Sequence, residues 1–264
     1  MLRSVFGKSL WDQRRGIAVW SVAIAAVGVL YAAFYPSMNN PDMQAAMDAF
    51  PPELLEALGM TDITSAAGYL GSTTYGILGP ILMIIFAGGL GVRAVAGDEE
   101  AGRMDVLLAH PVERWAVVLQ RAAAMVVAIA VACVVLFLAM LAATGPAQLE
   151  DIGAANFAAT TLQMGLLGLV FGSLGLAVGA LTGSRGIAWG AVALVAVLSY
   201  LANTLGPTVD WLEWTQSASA FFYYSGGRPL ANGLQVTDAL VLVAMAVALV
   251  AIAILAFRRR DVAV

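Results

Sequence analysis

Residues 122–149 read "AAAMVVAIAVACVVLFLAMLAATGPAQL", a run without a single Asp, Glu, Lys or Arg. It exceeds the roughly 18–20 apolar residues that carry a helix across the hydrocarbon core of a bilayer. Outward from it, equally uncharged runs occupy residues 17–41, 63–92, 152–184, 186–209 and 239–257. The chain as a whole agrees: 61% of its 264 residues are hydrophobic and its mean hydropathy is +0.87, against about 45–50% apolar usage in soluble domains. The pattern predicts an all-α integral membrane protein, a single domain with spans at 17–35, 68–94, 115–144, 156–182, 186–206 and 237–257.

Basic residues concentrate on the cytoplasmic side of short loops. With the N-terminus inside, six spans put both termini in the cytoplasm together with 12 of the 13 Lys and Arg and 7 of the 17 Asp and Glu. That face carries a net +5 and the outer face −9, so the overall −4 conceals a polarised molecule. Arg228 alone among the basic residues falls outside. The basic N-terminus precedes an apolar segment longer than the core of a secretory signal and without a small-x-small exit, so it reads as a retained first span. Cys133, the one cysteine, lies in the third run and leaves no disulfide framework.

In residues 1–15, Leu2, Val5, Phe6 and Leu10 recur at helical spacing with Arg3, Lys8 and Arg14 turned elsewhere, the pattern of a helix lying in the membrane interface. The other reading is that the first span starts early. The outer loop 36–66 holds five acidic residues and two short amphipathic pieces separated by Pro51 and Pro52, a cap with a packing or a gating role. In the fourth span Gly165, Gly168, Gly172, Gly175 and Gly179 draw one stripe down a helix face. In lipid such stripes let backbones approach closely, here within one subunit or across a dimer. Residues 207–235 combine Trp211, Trp214, Phe221, Phe222, Tyr223 and Tyr224 with Gly226, Gly227 and Pro229, predicting short interfacial or re-entrant helices at the outer surface.

The stretch "GDEEAGRMDVLLAHPVERW", residues 97–115, concentrates charge in an otherwise apolar chain. A helix capped by Asp98 and ended before Pro111 aligns Met104, Leu107 and Leu108 on one face. Asp98, Glu99 and Glu100 then sit in its first turn, and Glu99 with Arg103 forms an i, i+4 pair worth about 0.3–0.5 kcal/mol. Two readings stand: a solvated loop anchor, or a docking element whose Met/Leu face is buried by a soluble partner inside an acidic and Arg rim.

"AGDEEAGRMDVLLAHPVER" resembles the AGEE-x-G-x-L-x-LLA-x-PVSR stretch of ABC-2-type ABC transporter permeases. "RRGIAVW" and "FYPSM" around the first span, "GYLGSTTYGILGPIL" entering the second, "GALTGSRG" between the fourth and fifth, and "FFYYSGGRPLANG" before the sixth agree with it in order and placement. The chain departs at Asp98 beside the paired glutamates, at Met104 where Leu is usual and at Glu113 where Ser is usual. The resemblance implies a multi-pass protein of the bacterial cell membrane, the permease of an exporter for drugs, lipids or apolar peptides. Its partners would be a separate ABC ATPase, a second permease copy or a homologous permease, and membrane lipid, but no nucleic acid. Residues 98–112 would be the coupling helix, with Asp98, Glu99, Glu100, Gly102, Arg103, Met104, Leu107, Leu108, Pro111 and Arg114 contacting the ATPase. Residues 1–15 would be the interfacial connecting helix. Residues 207–235 would be a re-entrant hairpin closing the outer side of the path through Phe221, Phe222, Tyr223, Tyr224 and Pro229.

The chain has one lysine, Lys8, and no G-x-x-x-x-G-K-[ST] loop. ATP and Mg are therefore expected in the partner and no cofactor or metal in this chain. "GLGVRA" at 89–94 sits at the exit of a span, not after a strand. The sole histidine, His110, and the lack of a G-x-S-x-G elbow argue against an embedded enzyme. The alternative is a transporter driven by an ion gradient, which needs ionisable groups within the membrane. The six runs contain none, although Arg93, Arg121 or Asp238 at their edges could point inward. A polar path through Thr73, Thr74, Asn156, Thr160, Thr161, Gln163, Asn203 and Thr204 is conceivable.

Overall fold

The computed structural model describes residues 5–40, 50, 65–102, 113–207, 209 and 212–259. Six of its helices are long and apolar enough to cross a membrane: α1 (Val5–Met38), α2 (Ala66–Glu100), α3 (Arg114–Ala143), α4 (Ala154–Thr182), α5 (Arg185–Leu205) and α9 (Val236–Arg259). Between α5 and α9 lie three short helices, α6 (Glu213–Gln216), α7 (Ala220–Ser225) and α8 (Pro229–Asn232). No strand occurs among the described residues. Most of the 36–66 loop lies outside them.

α4 is the axis of the bundle. In its most apolar stretch 72% of residues are buried, against 11% in α5. It packs against α2, α3, α5 and α9, whereas α1 packs mainly on α3. A helix so largely enclosed leaves little face for solvent or lipid, with Leu162 and Leu181 among its few exposed side chains, and glycines and alanines let its neighbours close in. Its polar side chains follow it inward: Thr160, Thr161, Gln163 and Ser173 are all buried.

α1 runs unbroken from Val5 to Met38. Thirty-four residues at 1.5 Å each make about 51 Å, well beyond a hydrocarbon core of about 30 Å. Of residues 1–15, read from sequence as an interfacial helix, the described residues 5–15 are helically continuous with the spanning helix, with Arg14 stacked 3.9 Å over the Trp11 ring.

The ends of the helices sort by charge. The starts of α1 and α3 meet where the Phe6 amide donates to Gln120 Oε1 (3.1 Å), and Arg114 of α3 faces Phe257 of α9 at 6.0 Å. A small apolar cluster of Val95, Val118, Ala122, Leu176, Ala177, Ala180, Ala253 and Phe257 ties α2, α3, α4 and α9 together there. At this basic end both ends of the 103–112 connection leave the bundle. At the opposite end α7 and α8 fold back against α4, α5 and α9.

Candidate functional site

The basic end is organised by the last turns of α2. Its backbone widens into a π turn over Arg93–Gly97 and continues helically through Gly97 (φ −66°, ψ −35°) and Asp98 (φ −85°, ψ −28°). Asp98, Glu99 and Glu100 therefore end a spanning helix, and the expectation that Asp98 caps the start of a new one is corrected. The chain leaves the helix at Gly102, whose φ of +64° suits glycine. Of the expected coupling residues, Arg103, Met104, Leu107, Leu108 and Pro111 lie outside the described residues.

Three carboxylates at a helix C-terminus oppose the helix dipole, and cations from two other helices offset them. Arg121 Nη2 of α3 donates to Asp98 Oδ2 at 2.5 Å, with the arginine side chain only 7% exposed. Arg185 at the start of α5 gives Glu100 two bonds, backbone N to Oε1 (2.7 Å) and Nε to Oε2 (2.5 Å). Glu100 thereby serves α5 as an N-terminal cap beside Ser184, whose Oγ accepts from the Ile187 amide. Glu100 lies past the apolar run that ends at Val92. The Arg185 side chain, then its backbone amide, hold the carboxyl below its ordinary value of 4.5, against a smaller opposing push from burial. So α2, α3 and α5 are pinned to one another around the base of the 103–112 connection. Sequence reading placed Arg121 at the edge of a span without a partner and did not single out Arg185.

The glycine stripe turns mostly toward α2. A methyl group on Gly168 would meet the Met83 side chain, on Gly172 the Met125 sulfur of α3 at 2.6 Å and the Ala87 carbonyl at 2.9 Å, on Gly175 Val92 and the Gly88 carbonyl, and on Gly179 the Ala96 methyl. From the other side, a methyl on Gly91 would collide with the Gly172 carbonyl and the Leu176 amide. Gly165 instead faces Cys133 and Ile129 of α3. The stripe is thus buried within the subunit, backbone against backbone. Beside it, Gly88 of α2 receives Val192 and Trp189 of α5.

At the opposite end the aromatic residues of α7 divide. Phe221 and Tyr224 are buried and Phe222 and Tyr223 half-buried. Phe221 packs edge-on to Tyr200 (5.5 Å) and tilted on Phe171 (6.2 Å). Phe222 and Tyr223 pair with each other at 5.3 Å. Ser219 caps α7 by accepting the amides of Phe221 and Phe222, and donates to the Ser199 carbonyl of α5 at 2.7 Å. Pro229 is buried at the start of α8.

Tyr224 repairs a defect in α2. The π turn Thr74–Leu78 sends the Gly79 amide back five residues to the Thr74 carbonyl, and Pro80 has no N–H to give. The Tyr75 carbonyl takes its hydrogen bond from the Tyr224 hydroxyl instead, at 2.5 Å. In lipid every backbone carbonyl needs such a partner. The Tyr75 hydroxyl in turn shares a hydrogen bond with Thr161 of α4 (3.2 Å). Of the polar path read from sequence, Thr160 and Thr161 bond within the bundle, whereas Gln163 and the Thr74 hydroxyl are buried without a partner among the described residues. No group of three or more potential metal ligands occurs among the described residues.

No curated protein matches the chain. The family model described as ABC-2 family transporter protein matches residues 3–262, nearly its whole length. With six spanning-length helices around one glycine-lined axis, the chain belongs to the ABC-2 family of transporter proteins.

Proposed function

We propose that this chain is the permease subunit of an ATP-driven exporter in the bacterial cell membrane. The family is a membrane component of transporters without a nucleotide-binding domain of its own. Two copies, or this chain and a homologue, surround the path of an amphipathic or apolar substrate. A separate ABC ATPase, which holds the ATP and Mg, docks on the Met104, Leu107 and Leu108 face of the 98–112 segment from the cytoplasm. The outer hairpin, with Phe221, Phe222, Tyr223, Tyr224 and Pro229, closes the path.

One observation carries this reading. The base of the 98–112 segment is tied by Asp98 to Arg121 and by Glu100 to Arg185. A displacement of the segment by the ATPase therefore pulls on α2, α3 and α5 together. The contact between α2 and α4 is mostly backbone and small side chains, with few interlocking groups to resist sliding. An ATPase can shift the equilibrium between two arrangements only by binding them unequally, and a segment whose described base is tied to α3 and α5 as well as α2 would present itself differently in each.

Co-expression with candidate soluble ATPases, followed by purification in detergent, tests the proposal. Capture of a P-loop ATPase that hydrolyses ATP in the complex supports it. Transport that persists without any ATPase and collapses with the membrane potential contradicts it and favours the ion-driven carrier.

A further inference from the structure

At the end opposite the basic cluster, a cavity of about 230 Å³ opens between the start of α2 and the hairpin, lined by Gly71, Tyr75, Thr160, Ser225, Arg228 and Leu230 among others. We propose that this cavity binds the anionic headgroup, phosphate or carboxylate, of an amphiphile, with Arg228 as its countercharge. The inference is independent of how the chain is powered.

In the sequence, the segments read as facing outward hold ten acidic residues and one basic residue, Arg228. Among the described residues its guanidinium forms no hydrogen bond or ion pair. Asp238, which approaches Gly227, is a neighbouring carboxylate with which Arg228 makes no ion pair. Its backbone is also unusual, a left-handed φ of 47° and ψ of 61° in a residue with a long side chain. Gly226 and Gly227 immediately precede it, so two residues better suited to that conformation stand next to the one that adopts it. The turn is fixed from both sides: the Arg228 amide donates to the Ser225 carbonyl (3.0 Å), and its own carbonyl accepts from Ala231 (3.0 Å) and Asn232 (2.9 Å). A non-glycine residue held there by its surroundings is the kind of strain that collects at binding sites.

The remaining lining narrows the ligand. Ser72, Ser225 and Tyr224 already donate their hydroxyl protons to the carbonyls of Tyr69, Phe221 and Tyr75, and Thr160 donates to Asn156. They offer lone pairs only, and the Tyr75 hydroxyl is engaged with Thr161, so Arg228 is the charged side-chain donor that faces the cavity without a protein partner among the described residues. A polyanion or a free sugar would find too few donors, whereas a single anionic group with carbon attached would meet Ala67, Pro229, Leu230 and Ala231. The volume lies below the roughly 300–1,000 Å³ of sites that enclose a whole drug-sized ligand, and suits a headgroup and its first carbons.

The test titrates the purified full chain in detergent with phosphatidylglycerol, phosphatidylcholine or glycerol 3-phosphate and reads the shift in thermal unfolding. Wild type, Arg228→Lys, Arg228→Gln and Arg228→Gly are compared. Glycine fits the left-handed position, so Arg228→Gly separates lost binding from lost folding. Apparent affinity for phosphatidylglycerol is expected to be about tenfold weaker in Arg228→Gly and Arg228→Gln than in wild type, the worth of one charge-assisted hydrogen bond. Arg228→Lys keeps most of it, and phosphatidylcholine does not distinguish the variants. Equal affinity of wild type and Arg228→Gly for phosphatidylglycerol overturns the site. A wild-type shift that glycerol 3-phosphate reproduces assigns the anion to a soluble source and overturns the amphiphile.

Discussion

Arg121 and Asp98 meet at 2.5 Å where α3 crosses the end of α2, and the arginine is almost wholly shielded. Leaving one buried charge without its partner is costlier than removing both, typically about 3–5 kcal/mol for a fully buried pair. Asp98→Asn is therefore expected to destabilise the chain by about 3 kcal/mol, and the double variant Asp98→Asn with Arg121→Met by distinctly less. Thermal unfolding in detergent checks the order. A double variant as unstable as the sum of the singles would show that the pair is not coupled.

The second tie, Glu100 to Arg185, is exposed and answers to pH. Arg185 lowers the folded-state pKa of Glu100 below 4.5, so the folded form binds this proton less readily than the unfolded form. The stabilisation is fully present above 4.5 and is lost as pH falls through the lower folded value. The difference in melting temperature between wild type and Glu100→Gln should hold steady from about pH 7 down to about pH 5 and shrink below that. A difference that grows on acidification contradicts the assignment.

Where α2 and α4 touch through glycine, size decides. Gly91→Ala forces its methyl into the Gly172 carbonyl and should cost about 1–3 kcal/mol through overpacking. Gly190→Ala on α5 meets open space and should stay within about 1 kcal/mol of wild type, on the stabilising side. Resistance of the two variants to heat and protease in detergent provides the comparison.

Tyr224 and Pro80 form a compensating pair. Tyr224→Phe removes the donor to the Tyr75 carbonyl and should destabilise by about 1–3 kcal/mol, since the carbonyl is left unpaired in the bundle. Adding Pro80→Ala restores an N–H to the turn and should return part of that loss. A Tyr224→Phe variant as stable as wild type would remove the hydroxyl's role in joining the hairpin to α2.

The apolar runs were legible because a spanning helix leaves an unmistakable length of uncharged sequence: residues 115–144 read from sequence correspond to α3, Arg114–Ala143, and 186–206 to α5, Arg185–Leu205. The stripe of glycines was also legible, but not what it faces, because a periodicity gives one helix's face and says nothing of its neighbour. Asp98 was misread for a related reason. An acidic residue before an amphipathic stretch looks like a cap, yet here the preceding span simply continues, and Asp98 and Glu100 are held by arginines 23 and 85 residues away. Pro80 inside an apolar helix was a usable signal of an orphan carbonyl, and the tyrosine that satisfies it lies 149 residues from its acceptor.

Docking of an ATPase on the 98–112 segment is read most directly from the ATPase activity of the co-purified complex with and without substrate-bearing membrane, in wild type and in Leu107→Asp and Leu108→Asp chains that insert normally. Hydrolysis should be stimulated in wild type and not in either variant. Undiminished stimulation in both would contradict that docking.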